Sequence, residues 1–492
     1  MPDQHERAAG APHHGSSVPR GLRPAGAGPF ARGRFGRMFG FLPVRGLSDA
    51  AMNELLARIS DSESGDNVDI PAGYTYLGQF IDHDITFDPT SQLQKVNDPY
   101  ALADFRTPRL DLDSLYGAGA DDQPFLYEWT SRRDRGVKLL VGRNPPDDRN
   151  AIADLPRNVQ GRALLGDPRN DENLILAQLH LLFIRFHNKV VDHVREQARR
   201  RGDEDRLRGA ELLHEAQRIV RWHYQWIVAH DFLPKIVGDV AGSMLTGDAG
   251  SPVRRRFYRW RNEPFIPVEF SGAAFRFGHS IVRNGYKISS SEEAEIAIFV
   301  RDADPDGLDH LGGFRRLPPE LKISWRRFFQ LPGHPAPQPS SRIDSAIAFG
   351  LSDLPPEVNE EPVLARLNMR RARALELPAG RDVAMAMGEP PLTAAQLRFD
   401  RSPAHLREEL MRTAPLWYYV LREAKELHGG KHLGPVGGRI VAEVLLGLIE
   451  GDPNSYLRQQ PTWQPELARE GSGFTMGDLV RFAEDTVGDD GA

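Results

Sequence analysis

Not one cysteine occurs in the 492 residues, which removes disulfides, thiolate-held metals and thiol nucleophiles together; any metal must be held by histidine or by oxygen. No apolar stretch reaches the ~20 residues that a bilayer-spanning helix requires. The most apolar run, Leu174 to Ile184, is interrupted by Gln178 and His180, so we read no transmembrane helix. The N-terminus, MPDQHERAAGAPHHGSSVPRG, lacks the apolar segment of a secretory signal and is small and polar. Residues 1–40 are therefore expected to form a flexible arm, and the chain is expected in the cytoplasm unless it leaves by a leaderless route. Charge bias is missing as well. The 62 basic and 68 acidic residues are mixed along the chain for a net charge of -6, which gives no footing for nucleic acid. Small molecules are the default partners, and nothing indicates an oligomeric state.

What is present is mostly helical pattern. Apolar periodicity marks short helices over Leu47 to Ile59 and Gly73 to Phe87, flanking a polar loop from Ser60 to Asp69. Asp167-Pro168 reads as a helix start, with Asp as the cap and Pro in the first turn, opening a long helix that runs to about Val194. A second runs from Leu207 to about Ile236, and the last two lie near Gly437 to Glu450 and Met476 to Glu484. The Pro- and Ser-rich stretch 331–356 is expected to be an irregular surface excursion. No boundary or repeat divides the chain, so residues 41–492 are read as one large, mainly α domain with little β structure.

Within GQFIDHDI, residues four apart share a helix face: Gln79 and His83 project together with Asp82 beside them, while Asp84 is turned about 100° from His83. Residue type alone leaves this open between a surface ion cluster and a site. Arg169 and Glu172, three apart, also share a face; by themselves they are a charge pair at a helix start. His279 in AFRFGHS and the D-x-D of RTPRLDLDSLYG are equally ambiguous in isolation.

The set of motifs is not ambiguous. GQFIDHD, LDLDSLYG, GDPRNDENLILAQLHLLFIRFHNKVVD, AFRFGHS and LNMRRAR follow one another from Gly78 to Arg373. In order and content they resemble the animal-type haem peroxidase family; WHYQWIVAHDFLP and GGRIVAEVLLGLIEGDPNSYL resemble its bacterial branch. The resemblance implies a hydrogen-peroxide-dependent oxidoreductase containing haem b and calcium. Peroxide would oxidise the haem to a ferryl state that oxidises small donors: halide, thiocyanate or phenols. A role in the response to oxidative stress goes with such chemistry.

By that resemblance His83 is the distal acid/base, Arg169 the distal cation and Gln79 the neighbour that orders water or halide. Asp82 and Glu172 stand where family members attach haem through ester bonds. Where some members carry a methionine after that glutamate, this chain has Asn173. His279 is the proximal iron ligand; Asn368 is its partner, Arg276 meets a propionate and Arg371 lies at the haem edge. After Arg373 the family's usual Asp-His-Gly is replaced by Ala374, Leu375 and Glu376. Phe186 replaces a glutamate within the scaffold helix. Calcium would be held by Asp84, Thr107, the Arg109 carbonyl, Asp111 and Asp113, oxygen ligands of the kind this ion takes in sixes to eights.

Two other readings compete. Fatty-acid dioxygenases share this superfamily, but they carry a tyrosine three positions before the proximal histidine, where this chain has Arg276. An adhesion or binding protein on the same scaffold would have lost His83 or Arg169. Arg201-Gly202-Asp203 spells an adhesion tripeptide, yet lies in the charge run RRRGDEDR and reads as a solvated helix break. His180, His187 and His193 on one helix lack the spacing of a zinc site and are taken as structural.

Overall fold

The computed structural model describes residues 33–60, 65–86, 103–104, 107–144, 152–245, 253–289, 293–356, 359–469 and 473–484. Residues 1–32 of the expected arm and 61–64 of the expected loop lie outside these. Among the described residues helices dominate, with only short two- and three-stranded pairings, and one contiguous apolar core extends from Phe35 to Ala483.

The centre is the 28-residue helix Leu174–Arg201, flanked by the helices Gly73–Ile85, Gly209–Ile227 and Met476–Glu484. It is long and apolar enough to cross a bilayer by length and composition, but 83% of its apolar window is buried inside the fold. Its interior is fixed by rings: Phe80 stacks on Phe183 with centroids 4.7 Å apart, and Tyr224 meets both edge-on. Offset and edge-on aromatic pairs add about 1 kcal/mol each beyond their buried area. Phe186 is fully buried and packs on Phe482 at 5.6 Å. His187 bonds Tyr116 and the Val137 carbonyl, and His193 lies against Phe482. The helix ends at Gly202, whose φ of +74° closes it in the left-handed conformation, so the Arg-Gly-Asp tripeptide is a helix terminus.

The helix expected to open at Asp167 is split. Asp167 does cap a turn by accepting from Arg169 N, but that turn is a single 3-10 coil, Pro168–Asp171. Asn173 then caps the long helix afresh by accepting from Leu176 N. A continuous helix is prevented because segment 311–314 takes the backbone partners: Phe314 N donates to Asp171 O, Gly313 N to Glu172 O, and Leu174 N to Leu311 O. Residues three apart eclipse in a 3-10 turn, so Arg169 and Glu172 still share a side. The next helix is also modified: Gly209–Ile227 passes into a π turn, Val228–Phe232, before Leu233–Val237. The widened turn carries Asp231, which accepts from Tyr74 Oη, Lys235 Nζ and Met476 N.

Three expectations change. Gly33–Gly36 pairs with Ile266–Pro267 and Ala103–Asp104, and buried Glu269 accepts from Met38 N and Phe39 N; the packed body thus begins inside the stretch assigned to the arm. Asp66–Pro71, assigned partly to a loop, is a strand paired with Pro339–Ser341. That pairing draws part of the 331–356 excursion inward, leaving Ser340 and Ile343 fully buried.

Buried His223 donates from Nδ1 to Ile219 O (2.7 Å) and accepts at Nε2 from Leu467 N (3.3 Å), an arrangement open only to the neutral ring. Burial accordingly lowers its pKa to about 4. A folded pKa below the unfolded value of about 6.5 means that protons bind the unfolded chain first, so stability is full above pH ~6.5 and is lost as pH falls toward 4. From pH 7 to 5 the unfolding midpoint is expected to drop, with His223 supplying about 2 kcal/mol of the loss. His223→Gln should flatten that part of the dependence in thermal melts at a series of pH values; equal slopes would refute the assignment.

Candidate active site

One wall comes from the Gly73–Ile85 helix. It enters the core on Gly73, where a Cβ would lie 2.5 Å from the Phe329 ring. Gln79, Asp82 and His83 reach a cavity from its flank, and His83 is only 5% exposed. Its Nδ1 lies 2.8 Å from Asn170 Oδ1. Gln79 donates to Glu172 Oε1 and accepts from Asn173 Nδ2. Arg169 lines the same cavity, while its guanidinium donates to Asp167 and to the carbonyls of His83 and Thr86, capping the C-terminal end of the helix that carries His83.

The 3-10 turn bearing Arg169, Asn170 and Glu172 is anchored beneath. Arg157 donates twice to Asp171, at 2.7 Å each, and once to Asp154, and the three side chains are 1%, 3% and 4% exposed.

Another part of the wall is the 3-10 turn Ala274–His279, held by Phe275 stacked on Phe270 and by Trp417 Nε1 donating to Arg276 O. Arg276 and His279 line the cavity. Behind them the helix Leu364–Ala374 brings Arg371 to the cavity and Asn368 to His279, its amide 3.0 Å from Nδ1.

Burial governs the electrostatics. It lowers the His83 pKa to about 4, helped by the Arg169 charge, and that of His279 to about 3, helped by Arg276 and Arg371. The same loss of water raises Glu172 to about 7. At neutral pH both imidazoles are uncharged, each with a lone pair available to a proton or a metal.

The cavity, of about 430 Å³, suits a flat apolar ligand with anionic edges. Phe277, Ile298, Leu354 and Leu367 supply apolar walls, and Arg276 and Arg371 supply cations. Arg276 Nε is buried without a hydrogen-bond partner among the described residues, a donor awaiting an acceptor. Haem fits this set: two imidazoles in one cavity and guanidinium groups for its propionates.

A second cluster lies off the Gly73–Ile85 helix. Carboxylate oxygens of Asp84, Asp111 and Asp113 lie within 4.8 Å of one another. Thr107 Oγ1 donates to Asp111 Oδ2, whereas Asp111 Oδ1 is buried with no partner among the described residues. Asp84 accepts from Ser114 Oγ and Leu112 N, and Leu112 has a φ of +60° that folds the loop around the carboxylates. Three converging carboxylates with one bare buried oxygen fit a hard cation. Arg109 lies in this loop, its buried Nε unpartnered among the described residues.

Residues 98–306 match the model of the animal haem peroxidase family. The chain is 29% identical over 306 residues to the chorion peroxidase of Drosophila melanogaster, covering 59% of this chain and 34% of that one. It is 29% identical over 189 residues to the thyroid peroxidase of Sus scrofa, covering 36% and 19%. The matched stretch, residues 98–306, is thus similar to an animal haem peroxidase domain. The chain spans about a third of the length of the chorion peroxidase it matches. In fold it is similar to peroxidase A of Dictyostelium discoideum, with TM-score 0.56 and 16% identity over 87% of this chain and 89% of that one. It is equally similar to a fatty acid alpha-dioxygenase of Arabidopsis thaliana, with TM-score 0.55 and 15% identity over 90% and 75%.

The animal haem peroxidase match covers Thr107 to Asp113, Arg169, Glu172, Arg276 and His279. Gln79 to Asp84 and Asn368 to Arg371 lie outside it, and the fold brings them to the same two clusters. Sequence reasoning missed Asn170 and Ser114. Each sits beside a chosen residue, in Arg-Asn-Asp-Glu and Asp-Ser, but neither shows a function until its partner from another segment is in place.

Removing Arg157 leaves Asp171 charged and unpaired in the interior, a loss of about 3 to 5 kcal/mol. Arg157→Met should lower stability by that order in denaturant unfolding, and adding Asp171→Leu should restore much of it. A double variant no better than the single one would refute a buried-charge penalty.

Proposed function

We propose that this chain is a haem peroxidase that uses hydrogen peroxide to oxidise small donors: halide, thiocyanate or phenolic compounds. One observation carries the reading: two buried, neutral histidines from distant segments line one cavity, and each has its Nδ1 held by an asparagine amide, His83 by Asn170 and His279 by Asn368.

Bound haem would supply the redox chemistry, with iron as the two-electron store for peroxide. Asn368 Nδ2 donates to His279 Nδ1 and fixes the ring; with the amide turned so that Oδ1 accepts from Nδ1–H, Nε2 would be bare for iron and the ligand strengthened. Arg276 and Arg371 meet the anionic edge. His83 takes the first proton of peroxide and returns it to the leaving oxygen. Arg169 supplies positive charge near that oxygen. Gln79, held by Glu172 and Asn173, positions water or halide. Asp82 and Glu172 border the cavity where ester bonds to the haem rim would form. Calcium at Asp84, Asp111 and Asp113, with the Thr107 hydroxyl and the Arg109 carbonyl, would pin the helix that carries His83. The dioxygenase reading shares the fold, but Arg276 occupies the place of its tyrosine and supports the peroxidase.

The purified protein supplied with haem should show a Soret band that shifts on adding peroxide. His83→Ala should slow peroxide-dependent donor oxidation ~10²-fold or more; no band, or unchanged turnover, would sink the proposal. Acidified-solvent extraction should leave haem on the chain, and complete removal rejects the ester bonds. After chelation, calcium should raise the melting temperature of the parent protein but not of Asp111→Asn; an equal response would remove the calcium site.

A further inference from the structure

Asn170 touches two imidazoles at once. Its Oδ1 lies 2.8 Å from His83 Nδ1, and its Nδ2 lies 2.9 Å from His180 Nδ1. All three residues are buried: Asn170 is 0%, His180 1% and His83 5% exposed. The three side chains come from three different elements: the Gly73–Ile85 helix, the 3-10 turn Pro168–Asp171 and the helix Leu174–Arg201. The turn holding Asn170 is itself fixed on Arg157. The ring of His180 is further set by Phe80, edge-on at 5.9 Å.

An amide oxygen can only accept, and an amide nitrogen can only donate. The chain of bonds therefore has one direction. His83 must donate from Nδ1 to Oδ1, and His180 must accept at Nδ1 from Nδ2. Two tautomers follow: His83 carries its proton on Nδ1 and leaves Nε2 bare, while His180 carries its proton on Nε2. A neutral imidazole free to choose divides between two tautomers, and only one of them presents a lone pair at Nε2.

We infer that Asn170 is a positioning residue that selects the Nδ1–H tautomer of His83, so that Nε2 faces peroxide as a proton acceptor, and that His180 holds Asn170 in the orientation this requires. The inference rests on the peroxidase reading for its consequence, though not for its geometry. His83 Nε2 takes one proton from hydrogen peroxide, leaving the hydroperoxide anion; the other ring proton stays on Nδ1, donated to Asn170 Oδ1, and the Nε2 proton passes to the leaving oxygen, which departs as water as the O–O bond breaks with two electrons that bound haem would supply. With the opposite tautomer Nε2 already holds a proton and the first transfer has no acceptor. In other enzymes, a wrongly held histidine tautomer costs up to ~10⁴ in rate.

The closing experiment reads the tautomers directly. The full-length chain, labelled with 15N-histidine and carrying diamagnetic zinc protoporphyrin, is followed at constant pH by long-range 1H–15N correlation, in which bare and protonated ring nitrogens are well separated. His83→Gln and His180→Gln assign the two rings. The expected result is a bare Nε2 on His83 and a bare Nδ1 on His180. Asn170→Asp, a near-isosteric change that only accepts, should leave His83 as it is and move the His180 proton to Nδ1. A purely structural role for Asn170 would not produce that one-sided switch. Asn170→Leu should release His83 into a tautomer mixture and, with iron haem, slow the bimolecular reaction with peroxide ~10²-fold. A protonated Nε2 on His83 in the parent protein overturns the inference. So does a His180 tautomer unchanged in Asn170→Asp. Correct tautomers in a protein that never turns over peroxide leave the inference standing and refute the peroxidase reading instead.

Discussion

Arg157 is withdrawn from water together with the two carboxylates it binds, Asp171 and Asp154. Pairs of this kind contribute little net stability, because desolvation consumes most of the Coulomb attraction. Their value is geometric: with no water to substitute for a lost partner, the guanidinium and both carboxylates have one arrangement. That arrangement fixes Pro168–Asp171, and with it Arg169, Asn170 and Glu172 and the entry to the longest helix. Arg169 in turn caps the carbonyls at the end of the His83 helix. A buried ion cluster outside the cavity lining thus sets the wall of the cavity.

The two faces of that cavity pair a histidine with an asparagine in opposite senses, through Oδ1 at His83 and Nδ2 at His279. Each presents a neutral imidazole, kept neutral by burial and by nearby guanidinium groups, and each engages Nδ1 with an asparagine. The surroundings differ. Arg276 and Arg371 press on His279, whereas Gln79, Asp82 and Glu172 accompany His83. One face offers two guanidinium groups to the cavity; the other is polar. Asp84 couples this second face to the acidic cluster, since it is the neighbour of His83 on the same helix and accepts from the Ser114 loop.

Much of this was legible beforehand. Apolar spacing located the Asp49–Ser60, Gly73–Ile85 and Met476–Glu484 helices, because a helix that buries one face must repeat its apolar residues at that period. The ordered motifs carried the resemblance to the family whose model matches residues 98–306, and they nominated the residues that the fold gathers into the cavity and the acidic cluster. Errors fell where distant segments intervene: the break after Asp171, made by residues 311–314, and the strand within 331–356, made by Asp66–Pro71.

By itself, the sequence determined which side chains were available and which faces were apolar, and the absence of cysteine confined any metal to histidine and oxygen. Only the tertiary structure decided that Asn170 would stand between His83 and His180, and that Asn368 would stand behind His279. Periodicity reports that a surface is covered, whereas hydrogen-bond direction depends on which residue covers it. That residue comes from a segment far away along the chain.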